Sequence, residues 1–479
     1  MPKSQTAHAA NPLAPEWLVV PTDVNTLNSK IWSSNVSRTA YGELTVAGVT
    51  VGDLAAQFGT PLYVLDEDDF RARAFGVRNA LESAAKSIGT EAKVYYAGKA
   101  FLTTEIAQWV GELGLNLDVA SGGELAVALA AGLDGGRIGL HGNNKSLFEI
   151  GRAVSANVGA IVIDSEIEIE RIASAAGAQD KVQGVRLRVN SGVHAYTHEF
   201  LATAREDQKF GVAMADVPRL VAKIRSHRHL RFLGIHSHIG SQIFALDGFV
   251  EAAKRLIELH AELLTGGDVP ELNLGGGFGI NYKAADDAPS LNTFAAHIAV
   301  AVKRECDARG ITVPKLAFEP GRIIAGPTVF TLYNVGTIKD VVVTEGAEPA
   351  VRKYVSVDGG MSDNARPALY EADYAASLAS RTSTAAPVLA RVVGKHCESG
   401  DIVVRADYLP ADIASGDLLA VPATGAYCYS LSSNYNMLTR PPVVAVRAGV
   451  ARVVVRGETE ADLFARDVRY QELQNKNRM

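Results

Sequence analysis

Residues 93–142 read KVYYAGKAFLTTEIAQWVGELGLNLDVASGGELAVALAAGLDGGRIGLHG. Three short runs, Lys93–Tyr96, Asn116–Val119 and Arg137–Leu140, have the composition of strands. Between them lie two longer stretches with helical spacing of apolar residues, Thr103–Leu113 and Gly123–Ala131. Short strands alternating with helices indicate βα units around a parallel sheet. The pattern continues outward from this stretch. Further strands are expected at Ala160–Ile163, Gly184–Val189, Phe232–His236, Leu272–Leu274 and Leu316–Phe318, with a helix such as Gly248–Leu264 between neighbours. Eight such units in about 260 residues match the size of a (β/α)8 barrel. The barrel is expected over residues 60–325.

Beyond Gly326 the texture changes. Runs such as VFTLYNVGTIKDVVV (329–343), PVLARVVG (387–394) and VVAVRAGVARVVVRG (443–457) follow one another without long helices. This predicts a mainly antiparallel β-barrel or sandwich domain over residues 326–479. Strand-like runs at Glu43–Val46 and Val49–Val51 are expected to pair with that C-terminal sheet. Residues 21–59 then form the N-terminal part of a discontinuous β domain, and residues 1–20 a flexible tail. The fold class is α/β, a TIM-like barrel plus this second domain.

Composition bounds the function. The chain has 479 residues, which suits two domains. Hydrophobic residues make up 47% and charged residues 21%, ordinary for a soluble globular protein. A net charge of -6 argues against nucleic acid as the main partner. No apolar run reaches the roughly 20 residues that span a bilayer. The segment MPKSQTAHAANPLAPEW lacks the apolar core of a secretory signal, so a cytoplasmic location is expected. Cys306, Cys397 and Cys428 are too scattered for a disulfide framework or a zinc site, and no metal is expected.

In a (β/α)8 barrel the active site lies at the C-terminal strand ends. Polar and glycine residues collect there: Lys99 after the first strand, Asp118 at the end of the second, and His141 after the third. Arg186 and Arg188 lie on the fifth, His236, His238 and Ser241 after the sixth, Gly275, Gly276 and Gly277 after the seventh, and Glu319, Gly321 and Arg322 after the eighth. Each has an ordinary structural reading taken alone: surface lysine, turn glycines, core histidine, ion pair or helix cap. Gathered at one barrel mouth, they describe a different kind of site. Successive glycines let backbone N–H groups approach a phosphate, with Arg322 and Ser241 in support. A partly desolvated lysine can bond an aldehyde. A carboxylate can hold a pyridine nitrogen protonated, and an imidazole can stack on the ring. Together they describe a site for pyridoxal 5'-phosphate.

The motifs YYAGKA (95–100), LDVASGGEL (117–125), HGNNKS (141–146), HSHIGSQ (236–242), NLGGGFG (273–279), FEPGR (318–322), CESGD (397–401) and GAY (425–427) resemble those of the fold-type III pyridoxal-phosphate decarboxylases. Within that group the resemblance is to the diaminopimelate decarboxylases, over about residues 40 to 470. It implies that Lys99 bonds the cofactor, His238 stacks on its ring and Glu319 pairs with its pyridine nitrogen. It places Ser241, Gly277, Gly321 and Tyr427 around the phosphate, Gly275 and Gly276 in the loop, and Asp118 and His141 near the cofactor. Arg322 is implied to reach substrate as well as cofactor. Arg366 and Tyr370 in DNARPALY (363–370) resemble a substrate-binding pair. Cys397 and Glu398 resemble the pair contributed by a partner subunit, which implies a homodimer with shared active sites. Ala195–Asp207 resembles a mobile substrate loop. The implied reaction converts meso-2,6-diaminopimelate to L-lysine and CO2, the last step of lysine biosynthesis. Cys397, Lys99 or water is the candidate proton donor. A distal carboxylate needs a cation and a distal ammonium an acceptor, and Arg322, Arg366 and Glu398 supply both. The competing readings are an ornithine, lysine or arginine decarboxylase of the same fold and a non-catalytic cofactor-binding homologue. Alanine racemase shares the architecture, but its motifs fit less well.

Overall fold

A computed structural model describes residues 11–193, 209–344 and 349–476. The chain folds as two compact units. One is built from Arg71–Ile280 and Asp287–Ile324, the other from the described residues of Met1–Phe70, Asn281–Asp286 and Ala325–Met479.

The first unit is the barrel. Its strands are β1 (Ala92–Ala97), β2 (Asn116–Val119), β3 (Ile138–Leu140), β4 (Ala160–Ile163), β5 (Gln183–Asn190), β6 (Leu230–His236), β7 (Glu271–Asn273) and β8 (Lys315–Phe318). All pair in parallel. β8 pairs with β1 and β4 with β5, so the ring closes. All eight expected strands are present, with ends displaced by no more than two residues. After β1, β2 and β3, serine and threonine start the next helix within a few residues. The side chains of Thr103, Ser121 and Ser146 each accept a backbone N–H in the first turn of the helices Thr104–Glu112, Gly122–Ala130 and Leu147–Ser155.

Charge is buried inside the barrel toward its N-terminal end. Arg186 on β5 is 1% exposed and donates through Nε and Nη2 to Glu271 Oε2 at 3.1 and 2.7 Å. Its Nη2 also reaches the Tyr95 hydroxyl at 2.9 Å, and Lys93 donates to the other oxygen of Glu271. Arg188 lies two residues on, on the same strand face, and reaches the opposite end of the barrel.

The second unit is a mixed sheet. Its strands run in the order Ile402–Pro410, Pro387–Val393, Ala350–Val357, Val329–Val343, Leu62–Asp66, Val443–Arg447 and Val450–Val455. Most neighbours are antiparallel. The exceptions are Ala350–Val357 with Pro387–Val393, and Leu62–Asp66 with Val443–Arg447.

Three expectations change here. The runs near residues 43–51 do not join the large sheet as strands. Leu44–Val46 pairs instead with Val36–Arg38 and Val49–Thr50 in a separate three-stranded sheet. A two-residue turn, Ala47-Gly48, closes that hairpin locally. Leu44 and Val46 still bury their side chains among Leu62, Val64, Phe330 and Val444. The strand that does enter the large sheet is Leu62–Asp66, inside the range expected for the barrel, and Asn281–Asp286 also groups with the β unit. Five consecutive buried residues, LYVLD, suit a strand covered on both faces. Finally, residues 11–20 are not a free tail. Leu13, Ala14, Leu18 and Val20 pack against Leu389, Ala406 and Tyr408, and Asn11 Nδ2 donates to Val351 O at 2.8 Å. Apolar side chains in this stretch gain by leaving water. Among the described residues, no helix is long and apolar enough to cross a membrane.

The barrel plug yields a stability prediction. Glu271→Leu strips Arg186 of its counter-charge inside the barrel. Urea denaturation should show a loss of about 3–5 kcal/mol, the usual effect of leaving a buried charge uncompensated.

Candidate active site

The C-terminal strand ends surround a cavity of about 420 Å³. Lys99 reaches it from a single 3-10 turn, Gly98–Ala100, directly after β1. Asp118 from β2, His141 after β3, Arg188 from β5, His236 from β6, His238 and Ser241 just beyond, and Glu319 after β8 all line the same space. Sequence positions more than 200 apart thus converge on one cavity.

Glu319 is the centre of the polar network. Its Oε1 accepts from Asn273 Nδ2 at 2.7 Å, and His236 Nε2 lies 3.1 and 3.2 Å from its two oxygens. His141 Nε2 lies 3.5 Å from Glu319 Oε1 and 3.2 Å from Asp118 Oδ1. The imidazoles of His141 and His236 meet edge to face at 5.1 Å. Burial works to raise the Glu319 pKa, but His236 and His141 hold it well below the usual carboxylate range. Asp118 goes the other way. Burial, and then the nearby charge of Glu319, push its pKa well above the ordinary value. Neither Asp118 oxygen has a hydrogen-bond partner among the described residues. Two neighbouring carboxylates are thereby separated into one charged and one protonation-prone group.

Burial is the main cause that lowers the pKa of each histidine. It lowers His238 well below its ordinary value, with Lys99 adding to the effect, and lowers His236 as well. His141 falls to about 4, again through burial first, with Arg188, Lys99 and Lys145 contributing.

The glycine turn after β7 is built for close approach. A Cβ on Gly276 would lie 2.0 Å from Glu319 O, and one on Gly277 would lie 2.3 Å from Gly240 O. Gly277 also has φ +106°, a backbone region that favours glycine. Gly276 N donates to His238 Nδ1 at 3.3 Å, which fixes that ring beside the turn. Gly275 N donates to Asn273 Oδ1 at 2.9 Å, and Glu319 N to Gly275 O at 2.9 Å. Arg322, near Gly321 after β8, donates from Nη2 to Ser241 Oγ at 2.8 Å. Arg322 and Ser241 are therefore neighbours, and Gly277 lies against Gly240, the residue before Ser241, while Tyr427 belongs to the other unit.

The remaining candidates belong to the β unit. Arg366 is buried at the start of the helix Arg366–Tyr370. Its guanidinium donates to the Tyr374 hydroxyl and lies 4.6 Å from the Tyr282 ring centroid and 6.0 Å from that of Tyr427. Tyr370, at the other end of that helix, is exposed. Cys397 and Glu398 are exposed on a turn. Asp401 braces that turn: its Oδ2 accepts from the His396 backbone N–H at 2.8 Å and its Oδ1 from Met361 N at 2.6 Å. Asn436 Oδ1 accepts from Cys397 N at 3.0 Å. Ala195–Asp207, expected as a mobile substrate loop, lies outside the described residues.

The sequence places His236 and Arg188 at the barrel mouth without a role, whereas it does not single out Asn273, Tyr282 and Tyr374. His236 stands two residues before His238, so both project to one side of an extended segment, and that spacing was the available signal. Arg188 carries the same signal relative to Arg186. Asn273, Tyr282 and Tyr374 carry none that a single sequence reveals.

Comparison with known proteins agrees with this geometry. Residues 76–326 match the family model of the pyridoxal-dependent decarboxylase, pyridoxal binding domain. Diaminopimelate decarboxylase of Mycobacterium tuberculosis is 52% identical over 451 residues, covering 92% of this chain and 99% of that one. The chain belongs to the diaminopimelate decarboxylase family. A member from Corynebacterium efficiens is 46% identical over 451 residues, covering 93% of this chain and 95% of that one. Among solved structures, diaminopimelate decarboxylase from M. jannaschii in co-complex with L-lysine superposes with a TM-score of 0.83 at 29% identity, over 91% of this chain and 98% of that one. Lysine/ornithine decarboxylase from Vibrio vulnificus complexed with putrescine shares the fold, with a TM-score of 0.68 at 20% identity, over 83% of this chain and 97% of that one.

The electrostatics of the site yield a prediction. His141 should stay neutral between about pH 5 and 8, where a solvated histidine titrates, and charge only near about 4. Its folded pKa lies below its unfolded one, so its contribution to stability is lost as pH falls from 6.5 towards about 4. An NMR titration of the ring C–H resonances checks this, and a midpoint above pH 6 would contradict it.

Proposed function

We propose that this chain converts meso-2,6-diaminopimelate to L-lysine and CO2 with pyridoxal 5'-phosphate bound at the barrel mouth. The observation that carries the reading is the convergence of Lys99, Glu319, Asp118 and His238 on one cavity, beside a glycine turn. Membership in the family and the L-lysine complex of the M. jannaschii relative support the choice of substrate.

The residues fit that cofactor. Lys99 presents its amine to the cavity and would hold the aldehyde carbon. His238, fixed by Gly276, would cover the ring face. Glu319 would meet the pyridine nitrogen, and the unpartnered oxygens of buried Asp118 offer acceptors nearby. Ser241, Arg322, Gly321 and the turn Gly275–Gly277 would hold the phosphate, with Tyr427 assigned there by resemblance. When bound, the cofactor supplies an electron sink for the pair left as the carboxylate departs.

The chain's own groups prepare that chemistry. Glu319 stays ionised, so it can hold a proton on a pyridine nitrogen beside it. Arg322 and Arg366 are the cations for a distal carboxylate, and Glu398 is the acceptor for a distal ammonium. Tyr370 lines the same substrate region by resemblance. The alpha carbon can be reprotonated by the Cys397 thiol, the Lys99 amine or water. A two-fold homodimer would bring Cys397 and Glu398 to the neighbouring cavity, in keeping with their exposure on a single chain.

Two measurements test this reading. Purified, cofactor-loaded protein should release L-lysine and CO2 from meso-diaminopimelate and leave ornithine, lysine and arginine unchanged. Turnover of a basic amino acid instead would overturn the roles of Arg366 and Glu398. Lys99→Ala should abolish steady-state decarboxylation, and retained turnover would overturn the site assignment.

A further inference from the structure

Asn273 ends the shortest side of the polar network and is fully buried, at 0% exposure. Its single amide uses both of its ends. Nδ2 donates to Glu319 Oε1 at 2.7 Å, while Oδ1 accepts from Gly275 N at 2.9 Å. These partners dictate the amide orientation, because a backbone N–H needs an acceptor and a carboxylate needs a donor. The main chain repeats the link. Asn273 O accepts from Ser237 N at 3.0 Å, and Gly275 O accepts from Glu319 N at 2.9 Å. One residue thus ties the loop after β6, the glycine turn after β7 and the carboxylate after β8.

We propose that Asn273 is a positioning residue that locks the Glu319 carboxylate to the glycine turn, so that the group facing the cofactor ring and the turn facing its phosphate keep one fixed geometry. The proposal rests on the cofactor site described above. No other side chain of similar size fills this role. Leucine would strand a buried N–H and remove a donor from Glu319. Aspartate would keep the acceptor for Gly275 but set two carboxylates against each other.

That asymmetry supplies the test. In Asn273→Asp, kcat is expected to fall on the order of 100-fold, with KM little changed. The acidic pair should share a proton, so kcat should partly recover toward alkaline pH. The other charged or titratable groups that face Glu319 are His236 on β6, His238 beyond it, His141 after β3, Asp118 on β2, Lys99 after β1 and Arg188 on β5. All are unchanged in the variant. The swapped pair Asn273→Asp/Glu319→Gln restores one donor and one acceptor between the two positions. It should recover the melting temperature lost in Asn273→Asp, and its cofactor dissociation constant, measured by equilibrium dialysis with pyridoxal phosphate, and its kcat should both match Glu319→Gln alone. The proposal is overturned if Asn273→Asp keeps normal turnover, or if the swap melts as low as Asn273→Asp or binds cofactor more weakly than Glu319→Gln alone. Full turnover by Glu319→Gln alone would instead overturn the assignment of Glu319 itself.

Discussion

A carboxylate withdrawn from water costs several kcal/mol unless donors meet it. Glu319 is such a group, set inside the barrel mouth, and much of the surrounding structure can be understood as what keeps it charged. Asn273 comes from β7, His236 from β6 and His141 from the loop after β3. These groups reach one carboxylate only because the strand ring closes in a single register. Burial, and then the same charge, push up the pKa of Asp118, so the two buried acids are shifted in opposite directions. A ring nitrogen and a phosphate need opposite electrostatic surroundings. In the proposed reading the carboxylate after β8 would serve the first and the glycine turn after β7 the second, and Asn273 links the two.

The barrel interior shows the same economy of position. Arg186 and Arg188 share one face of β5, and their two-residue spacing sends them to different ends. Arg186 is spent on structure, paired with Glu271 and Tyr95. Arg188 is left to the cavity, where it lies 4.3 Å from the Phe210 ring centroid. In the β unit, Arg366 is held among tyrosine rings, which keep a long, flexible side chain in one orientation. The turn bearing Cys397 is braced by Asp401 and Asn436, so the exposed side chains of Cys397 and Glu398 sit on a fixed frame.

Much of this was legible in the chain itself. The alternation of strand and helix is a local property, written in apolar spacing and in serine and threonine caps, so all eight barrel strands could be located. The residues following each strand could be assigned to one mouth because the barrel places every strand end on the same face. The β unit was less legible. Its strands pair across hundreds of residues, and Leu62–Asp66 has no local mark that distinguishes it from a barrel strand. The hairpin at residues 44–50 closed on itself because its turn was two residues long.

The sequence by itself determined the βα periodicity, the position of Lys99, the glycine turn and the acidic residue after β8, because each depends on neighbours close along the chain. Tertiary structure alone decided which groups meet Glu319, that Asn273 bridges it to Gly275, and that the pKa values of Asp118 and Glu319 shift in opposite directions. Those outcomes depend on burial and on distances of about 3 Å between residues remote in sequence, and side-chain electrostatics is not encoded in spacing. A histidine two residues from another marks a shared face. Only the folded barrel shows what that face meets.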